Sequence, residues 1–280
     1  MDNALGRQGL DRPFVGAFAN KKLREYTFDK SVTPVIVEDF DDLFESLDIR
    51  DGMTLSFHHH LRNGDYVLNK VMEQVHKRGV KDLTIAATSI FPCHEPLVEM
   101  IEDGTVTEIY ASYISGPVAD AISLGKLQKP AFITTHGGRP RSILEGELKI
   151  DVAFLAAPAV DNKGAVSGSE GASACGSLGY AVCDAQCAKK VVAVTDNLVD
   201  KVTNPDIEEG LCNFILKIDV IGNPSGIVSG TTQITKDPIG LKIAREAAKL
   251  IDAAGLIKDG FSFQTGAGGI SLAVAKEVKD

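Results

Sequence analysis

The chain has 280 residues, 44% of them hydrophobic and 24% charged, and its 38 acidic and 29 basic side chains leave a net charge of −9. That is the composition of an ordinary soluble protein, long enough for one large α/β domain or two smaller ones. The acidic balance argues against a nucleic-acid surface, no apolar run reaches membrane-spanning length, and residues 1–10 lack a signal-peptide core, so a cytoplasmic protein without nucleic-acid or membrane partners is expected.

Residues 1–30 mix glycine, charge and isolated aromatics without a sustained period, and are expected to form an arm that packs on the body or on a partner. Regular structure begins with a strand over 54–57. Asp65 then caps a helix whose apolar stripe is Leu68, Val71, Met72 and Val75, stopped by Gly79. A strand follows over 83–87, and a short helix runs from Pro96 to Gly104, since proline suits a first turn and glycine the position beyond the last. Further strands are predicted over 106–111, 131–135, 152–156, 191–195 and 217–221. Helices are predicted over 117–124 and 173–188. Asp237 and Pro238 open a long helix with Ala244, Ala247, Ala248 and Ile251 on one face.

Apolar strands alternating with helices predict an open, mainly parallel α/β sheet with helices on both faces. Its first domain is expected to span 31–260. The last segment, 261–280, reads "FSFQTGAGGISLAVAKEVKD": a short strand, a glycine turn and the start of a helix. Such a turn prepares backbone N–H groups for an anion or a developing oxyanion. A dinucleotide turn is a poor match, because no acidic residue stands about twenty positions later.

Cys183 and Cys187 are one helical turn apart and close to Cys175, but no histidine or further cysteine completes a metal set nearby. Five cysteines in a chain of this size are expected to be reduced, buried thiols rather than a disulfide framework.

In parallel sheets chemistry gathers at the carboxyl ends of strands. Three loops stand there. "FHHHLRNGDY" follows the first strand; three consecutive histidines cannot all face one way, which leaves either a polar loop of satisfied imidazoles or a pocket lined by one of them with Asn63 and Gly64. "HGGRPRSILEGE" offers Arg139 and Arg141, either as a bidentate clamp for carboxylates or as a solvated turn paired with Glu145 and Glu147. "PAVDNKGAVSGSEGASACGSLGY" is rich in glycine and serine, and reads as a holder for a phosphate or pantetheine chain or as a close-packed turn.

Together "DGMTLSFHHHLRNGDYVLN", "HGGRPRSILEGELKIDVAFLAAPAVDNKG", "SGSEGASACGSLGYA" and "FQTGAGGISLAV" resemble the citrate lyase α subunit family, the citrate:acetyl-carrier-protein transferases. The resemblance covers nearly the whole chain and implies the coenzyme A transferase fold, in which two similar α/β halves hold the active site between them. It implies that 261–280 opens the second half, so that the chain is the first half plus that opening and is expected to have little transferase activity alone. The implied reaction converts acetyl thioester and citrate into citryl thioester and acetate. The thiol belongs to phosphoribosyl-dephospho-coenzyme A on a small acyl carrier protein, the γ subunit, and a β subunit cleaves the product; the chain itself is expected to bind no cofactor or metal, and to be oligomeric.

On that scheme Arg139 and Arg141 clamp citrate, and the backbone N–H groups of Gly266, Gly268 and Gly269 form the oxyanion site. The pocket is lined by His58, His59 and the residues up to Asn63, by Gly137 and Gly138, and by Ser167 to Glu170. The alternatives are an enzyme of the same fold acting on free acyl-coenzyme A or a sugar phosphate, and a non-catalytic assembly subunit.

Overall fold

Uninterrupted apolar runs such as VAFLA and VVAV leave no face fit for water, so they occupy the middle of a sheet covered on both sides. The computed structural model describes residues 31–227, 233–266 and 268–280; the expected N-terminal arm lies outside them. In chain order the main strands are β1 (Val35–Val37), β2 (Thr54–Phe57), β3 (Leu83–Ala87), β4 (Val106–Ala111), β5 (Ala131–Ile133) and β6 (Val152–Ala156). After β7 (Ala159–Asp161) and β8 (Val166–Ser167) come β9 (Lys190–Thr195), β10 (Leu198–Val199) and β11 (Phe214–Lys217).

Eight of them form one sheet in the order β1-β11-β9-β6-β2-β3-β4-β5, and every pairing in it is parallel. All eight carboxyl ends therefore face the same side. A small second sheet, β10-β7-β8, takes β7 and β8 from the glycine-rich connection after β6 and β10 from the stretch that follows β9. The helices are α1 (Phe40–Leu47), α2 (Val67–Lys77), α3 (Leu97–Glu102), α4 (Pro117–Ser123), α5 (Gly138–Leu144), α6 (Ala181–Cys187), α7 (Pro224–Ile227), α8 (Pro238–Ala253) and α9 (Gly269–Lys279). None of the described helices is long and apolar enough to cross a membrane.

Two apolar layers sandwich the sheet. One gathers Leu55, Phe57 and Phe154 with the stripe of α2, and the Phe57 and Phe154 rings stack at 5.6 Å. The other packs Ala153, Leu155, Val191 and Ala193 under α5 and α6. Asp65 accepts hydrogen bonds from the N–H groups of Val67 and Leu68 at 3.1 and 3.2 Å, which starts α2, and Gly79 takes the left-handed φ that ends it.

Several predictions need correction: regular structure begins at β1 and α1, well before 54, and the strand expected over 131–135 ends at Ile133. The strand placed at 217–221 lies earlier, at Phe214–Lys217, because the three consecutive apolar residues from Phe214 pair with β9. The helix placed over 173–188 begins only at Ala181, since Gly176 and Gly179 adopt positive φ of 88° and 57° and keep the chain irregular. The stretch after β5 is not wholly a loop: α5 starts at Gly138. Residues 261–265 form no strand; a lone strand has no ladder partner, and here the chain runs irregularly to α9.

Candidate functional site

The run His58–His60 leaves β2 at its carboxyl end, and the parallel pairing brings it beside the ends of β3 and β6. Three consecutive imidazoles do line one place, because the chain turns as it leaves the strand. With His136, which follows β5, and residues 177–180, which precede α6, they surround a pocket of about 180 Å³. The rings of His58 and His60 lie 6.2 Å apart and those of His59 and His136 6.0 Å apart, while the Tyr180 ring stands edge-on to His58 and His136 at 6.1 and 5.9 Å.

Each imidazole is held differently. His59 Nδ1 meets the Thr88 hydroxyl, which also accepts the His59 backbone N–H at 2.8 Å. His60 Nε2 donates to the Ala156 carbonyl at 2.6 Å, which fixes its tautomer and leaves the buried Nδ1 without a partner. Burial, with the neighbouring imidazoles adding to it, pushes His59 down to about 3 and His60 down to about 4, so both are neutral near pH 7.

His58 rests on a buried charge network. Its Nε2 is 3.3 Å from Asp184 Oδ2. Asp184, on α6, takes Arg139 Nη1 and Nη2 in a fork at 2.7 Å each. Arg139 Nη2 also donates to Ser56 Oγ at 2.8 Å and to the Ala86 carbonyl at 3.0 Å, and the Ser56 hydroxyl donates to Asp184. Burial would raise the Asp184 carboxyl, but the His58 and Arg139 beside it hold it well below the usual range. Burial lowers His58 against the pull of the same carboxylate.

Arg139 is thus not a clamp open to substrate. It is 1% exposed and its fork is filled by the protein's own carboxylate. A guanidinium on the inward face of α5 must find an internal anion, since an unpaired buried charge would be far costlier than the pair. Arg141, two residues on, points outward and pairs with Glu147 at 2.8 Å, the solvated alternative of the sequence reading. Gly137 and Gly138 open α5, where the Gly138 N–H meets Thr135 Oγ1 at 2.9 Å.

Other expected residues lie outside the pocket lining. Asn63 is exposed on a single 3-10 turn and accepts from the Cys93 N–H at 3.1 Å. Ser167 is buried in β8, where its hydroxyl accepts the Ser169 N–H at 3.2 Å, and Glu170 is half-buried in the loop beyond. Gly266, Gly268 and Gly269 lead into α9, and the Gly269 carbonyl accepts from the Thr235 N–H at 3.1 Å. Sequence reasoning missed His136, Tyr180 and Asp184. His136 was detectable, because it follows a strand as the His58 run does, whereas Asp184 looked like one polar position on a small-residue helix.

The citrate lyase alpha subunit family (CitF) matches residues 34–280. The chain belongs to that family. It is 43% identical over 267 residues to the citrate lyase alpha chain of Escherichia coli K12, covering 95% of this chain and 52% of the relative. The Haemophilus influenzae alpha chain is 46% identical over 233 residues, covering 83% and 47%. This citrate lyase alpha-type chain therefore spans about half the length of the curated relatives it matches. A Streptococcus mutans protein assigned as a citrate lyase alpha subunit, solved in complex with citrate, superimposes with a TM-score of 0.81 at 44% identity over 92% of this chain and 52% of its own. The alpha subunit of malonate decarboxylase from Acinetobacter baumannii, at 16% identity and TM-score 0.60 over 87% of this chain and 44% of its own, shares the fold. An Escherichia coli acyl-CoA transferase, at 14% and 0.53 over 78% and 54%, shares it as well.

Proposed function

We propose that this chain carries the citrate-binding part of a citrate:acetyl-carrier transferase, the α subunit of a citrate lyase. The observation that carries the reading is the imidazole pocket at the carboxyl ends of β2 and β5, in a chain 44% identical to a protein solved with citrate. Imidazole N–H groups and the Tyr180 hydroxyl are donors suited to carboxylates, and strand ends are where such sheets bind ligands.

In the proposed reaction a citrate carboxylate attacks the acetyl thioester carbonyl and forms a mixed anhydride as the carrier thiolate leaves. The thiolate then attacks the citryl carbonyl of the anhydride and acetate departs. One thioester replaces another, so the step is near balance and the protein's task is to orient the two reactants and stabilise two tetrahedral oxyanions. The backbone at Gly266, Gly268 and Gly269 is proposed to serve that second task once it is packed against the remainder of a full-length subunit, with 31–260 as the first domain. The proposed partners are a carrier-protein γ subunit bearing the coenzyme-A-like thiol and a lyase β subunit, in an oligomeric cytoplasmic complex. The scheme asks for no cofactor bound to this chain.

The test is to incubate acetylated carrier and citrate with this chain, and with a version extended to the length of its relatives, and to weigh the carrier by mass spectrometry. A shift from acetyl to citryl carrier with the extended version, and little or none with the 280-residue chain, is expected. No citryl carrier with either version would refute the reading. Equal turnover from both would place the whole site within the described residues.

A further inference from the structure

The pocket that the proposed function assigns to citrate has an unusual charge problem. Citrate brings up to three negative charges, yet no lysine or arginine is among the described residues that line the pocket. Arg139 lies beneath it but is neutralised by Asp184, and Arg141 pairs with Glu147 on an exposed surface. Arg62 stands near enough to act on His59, and the positive charge that the lining side chains themselves can carry is a proton on an imidazole.

We propose that His58 is the residue that meets a substrate carboxylate, and that it takes up a proton as the carboxylate binds. This rests on the pocket being the citrate site. Three features single out His58 among the three imidazoles that follow β2. Its Nε2 is 3.3 Å from the Asp184 carboxylate, the arrangement that stabilises an imidazolium and fixes its orientation. That nitrogen has no other partner, whereas His59 is engaged by Thr88 and His60 by the Ala156 carbonyl. And the carboxylate it faces is itself fixed, forked by Arg139 from α5 and bonded by Ser56 from β2, so it cannot swing away.

The charged and titratable groups around the cluster define the balance. Asp184 favours the His58 cation and Arg139 opposes it. His59 feels His58, His60, His136 and Arg62; His60 feels His58, Asp65 and Asp206. Tyr180 closes the side next to His58 and His136 as a neutral phenol, burial raising its pKa. In the empty pocket burial lowers the His58 pKa below its ordinary value against the pull of Asp184, which favours the neutral ring. A substrate carboxylate adds a second anion on the far side of the ring, so that the imidazolium lies between two carboxylates and becomes the stable form. Neutral in the empty state and charged in the occupied one, the residue would discriminate for carboxylates over neutral analogues of the same shape.

The experiment is calorimetric titration of citrate into the 280-residue chain between pH 7 and 8.5. Two buffers of different ionisation enthalpy give the proton count at each pH, and the ionisation of citrate itself is subtracted. Uptake approaching one proton per citrate is expected, with affinity weakening up to about tenfold per pH unit as pH rises. H58Q, checked for folding by its thermal melt, is expected to bind more weakly, with no uptake and no remaining pH dependence. Citrate binding without proton uptake by the unaltered chain overturns this inference and leaves the citrate reading standing; no binding at any pH overturns both. A folded H58Q that still takes up the proton overturns the assignment to His58. Should H58Q fail to fold, the imidazole ¹⁵N shifts of the unaltered chain, free and citrate-saturated, decide it: unchanged protonation of every ring refutes the proposal.

Discussion

The parallel sheet with its covering helices and the α8–α9 pair are built on opposite terms. In the inner strands of the sheet nearly every apolar side chain is enclosed, and a charge network is enclosed with them: Arg139 and Asp184 are 1% and 0% exposed. In the helical pair the fully buried side chains are small, Ala244 and Ala273, and Gly240 lets Ile270 approach, since a Cβ there would stand 3.2 Å from Ile270 Cγ1. Ile239, Ile243 and Leu250 of α8 face outward, with Leu250 71% exposed. The sheet supplies its own two hydrophobic layers, so the apolar residues of its inner strands are committed to neighbours. The pair relies on a small-residue seam and on helix capping, and Ile239, Ile243 and Leu250 on its outer side are left exposed. Substitutions should therefore be costly in the first region and nearly silent in the second.

The largest effect should come from D184N. It leaves the Arg139 guanidinium buried without its counter-ion, and breaking a buried pair in this way costs about 3–5 kcal/mol. A urea titration should show the midpoint falling accordingly with an unchanged slope. A midpoint like that of the unaltered chain would mean that the network is wetter than its burial indicates, and the contrast between the regions would lose its main support.

Acid should act next, and also through the sheet. His59 and His60 are held near 3 and 4 against an ordinary value of 6.5, so the unfolded chain binds protons that the folded one refuses. The stability drawn from their neutral forms is complete above about pH 6.5 and is lost as pH falls from there towards 4, with a slope of up to about 1.4 kcal/mol per pH unit for each imidazole. Melts between pH 7 and 5 in the absence of citrate should show the loss, and replacing both histidines with glutamine should flatten it. A flat profile in the unaltered chain would place both rings in solvent.

How far the sequence discloses this molecule follows the same division. Strands β2, β3, β4 and β6 were predicted residue for residue, because a buried parallel strand is a closed apolar run with turn residues at both ends. The start of α8 was equally plain in Asp237–Pro238, and Asp237 does accept the Gly240 N–H at 2.7 Å. What local pattern could not disclose was long-range pairing. Arg139 and Asp184 lie 45 positions apart, and Ser56 lies 83 positions from Arg139. Nothing near Arg139 in sequence indicates that an internal carboxylate fills its fork, so a substrate clamp was the natural reading of two arginines after a strand. Likewise "CGSLGY" reads as part of a small-residue helix until the positive φ of Gly176 and Gly179 turns it into the pocket wall.

A smaller effect is expected from D237A at the N-cap of α8. Losing a capping carboxylate typically costs about 1 kcal/mol. Because the principal packing partner of α8 is α9, the loss should appear as faster amide exchange in those two helices while the amides of β2 and β6 keep their protection. Equal acceleration in the sheet would show that the two regions unfold as one unit, which is the outcome that would break the comparison most directly.

The smallest effect should be at Leu250. A 71% exposed leucine on the outer side of α8 has little apolar contact to lose, so L250Q should change stability by no more than about 0.5 kcal/mol, against about 2–5 kcal/mol for L55A, whose side chain in β2 is fully enclosed. The informative part is the sign and its dependence on protein concentration. If the outer face of α8 is wet in solution, the glutamine is neutral at every concentration and the melting midpoint of neither form depends on concentration. A destabilisation above about 1 kcal/mol that grows with concentration would mean that this apolar face is covered by another molecule of the chain, because only mass action ties a midpoint to concentration. In that case the exposed row of Ile239, Ile243 and Leu250 would be an interface, and the difference between the two regions would be one of assembly rather than of intrinsic packing.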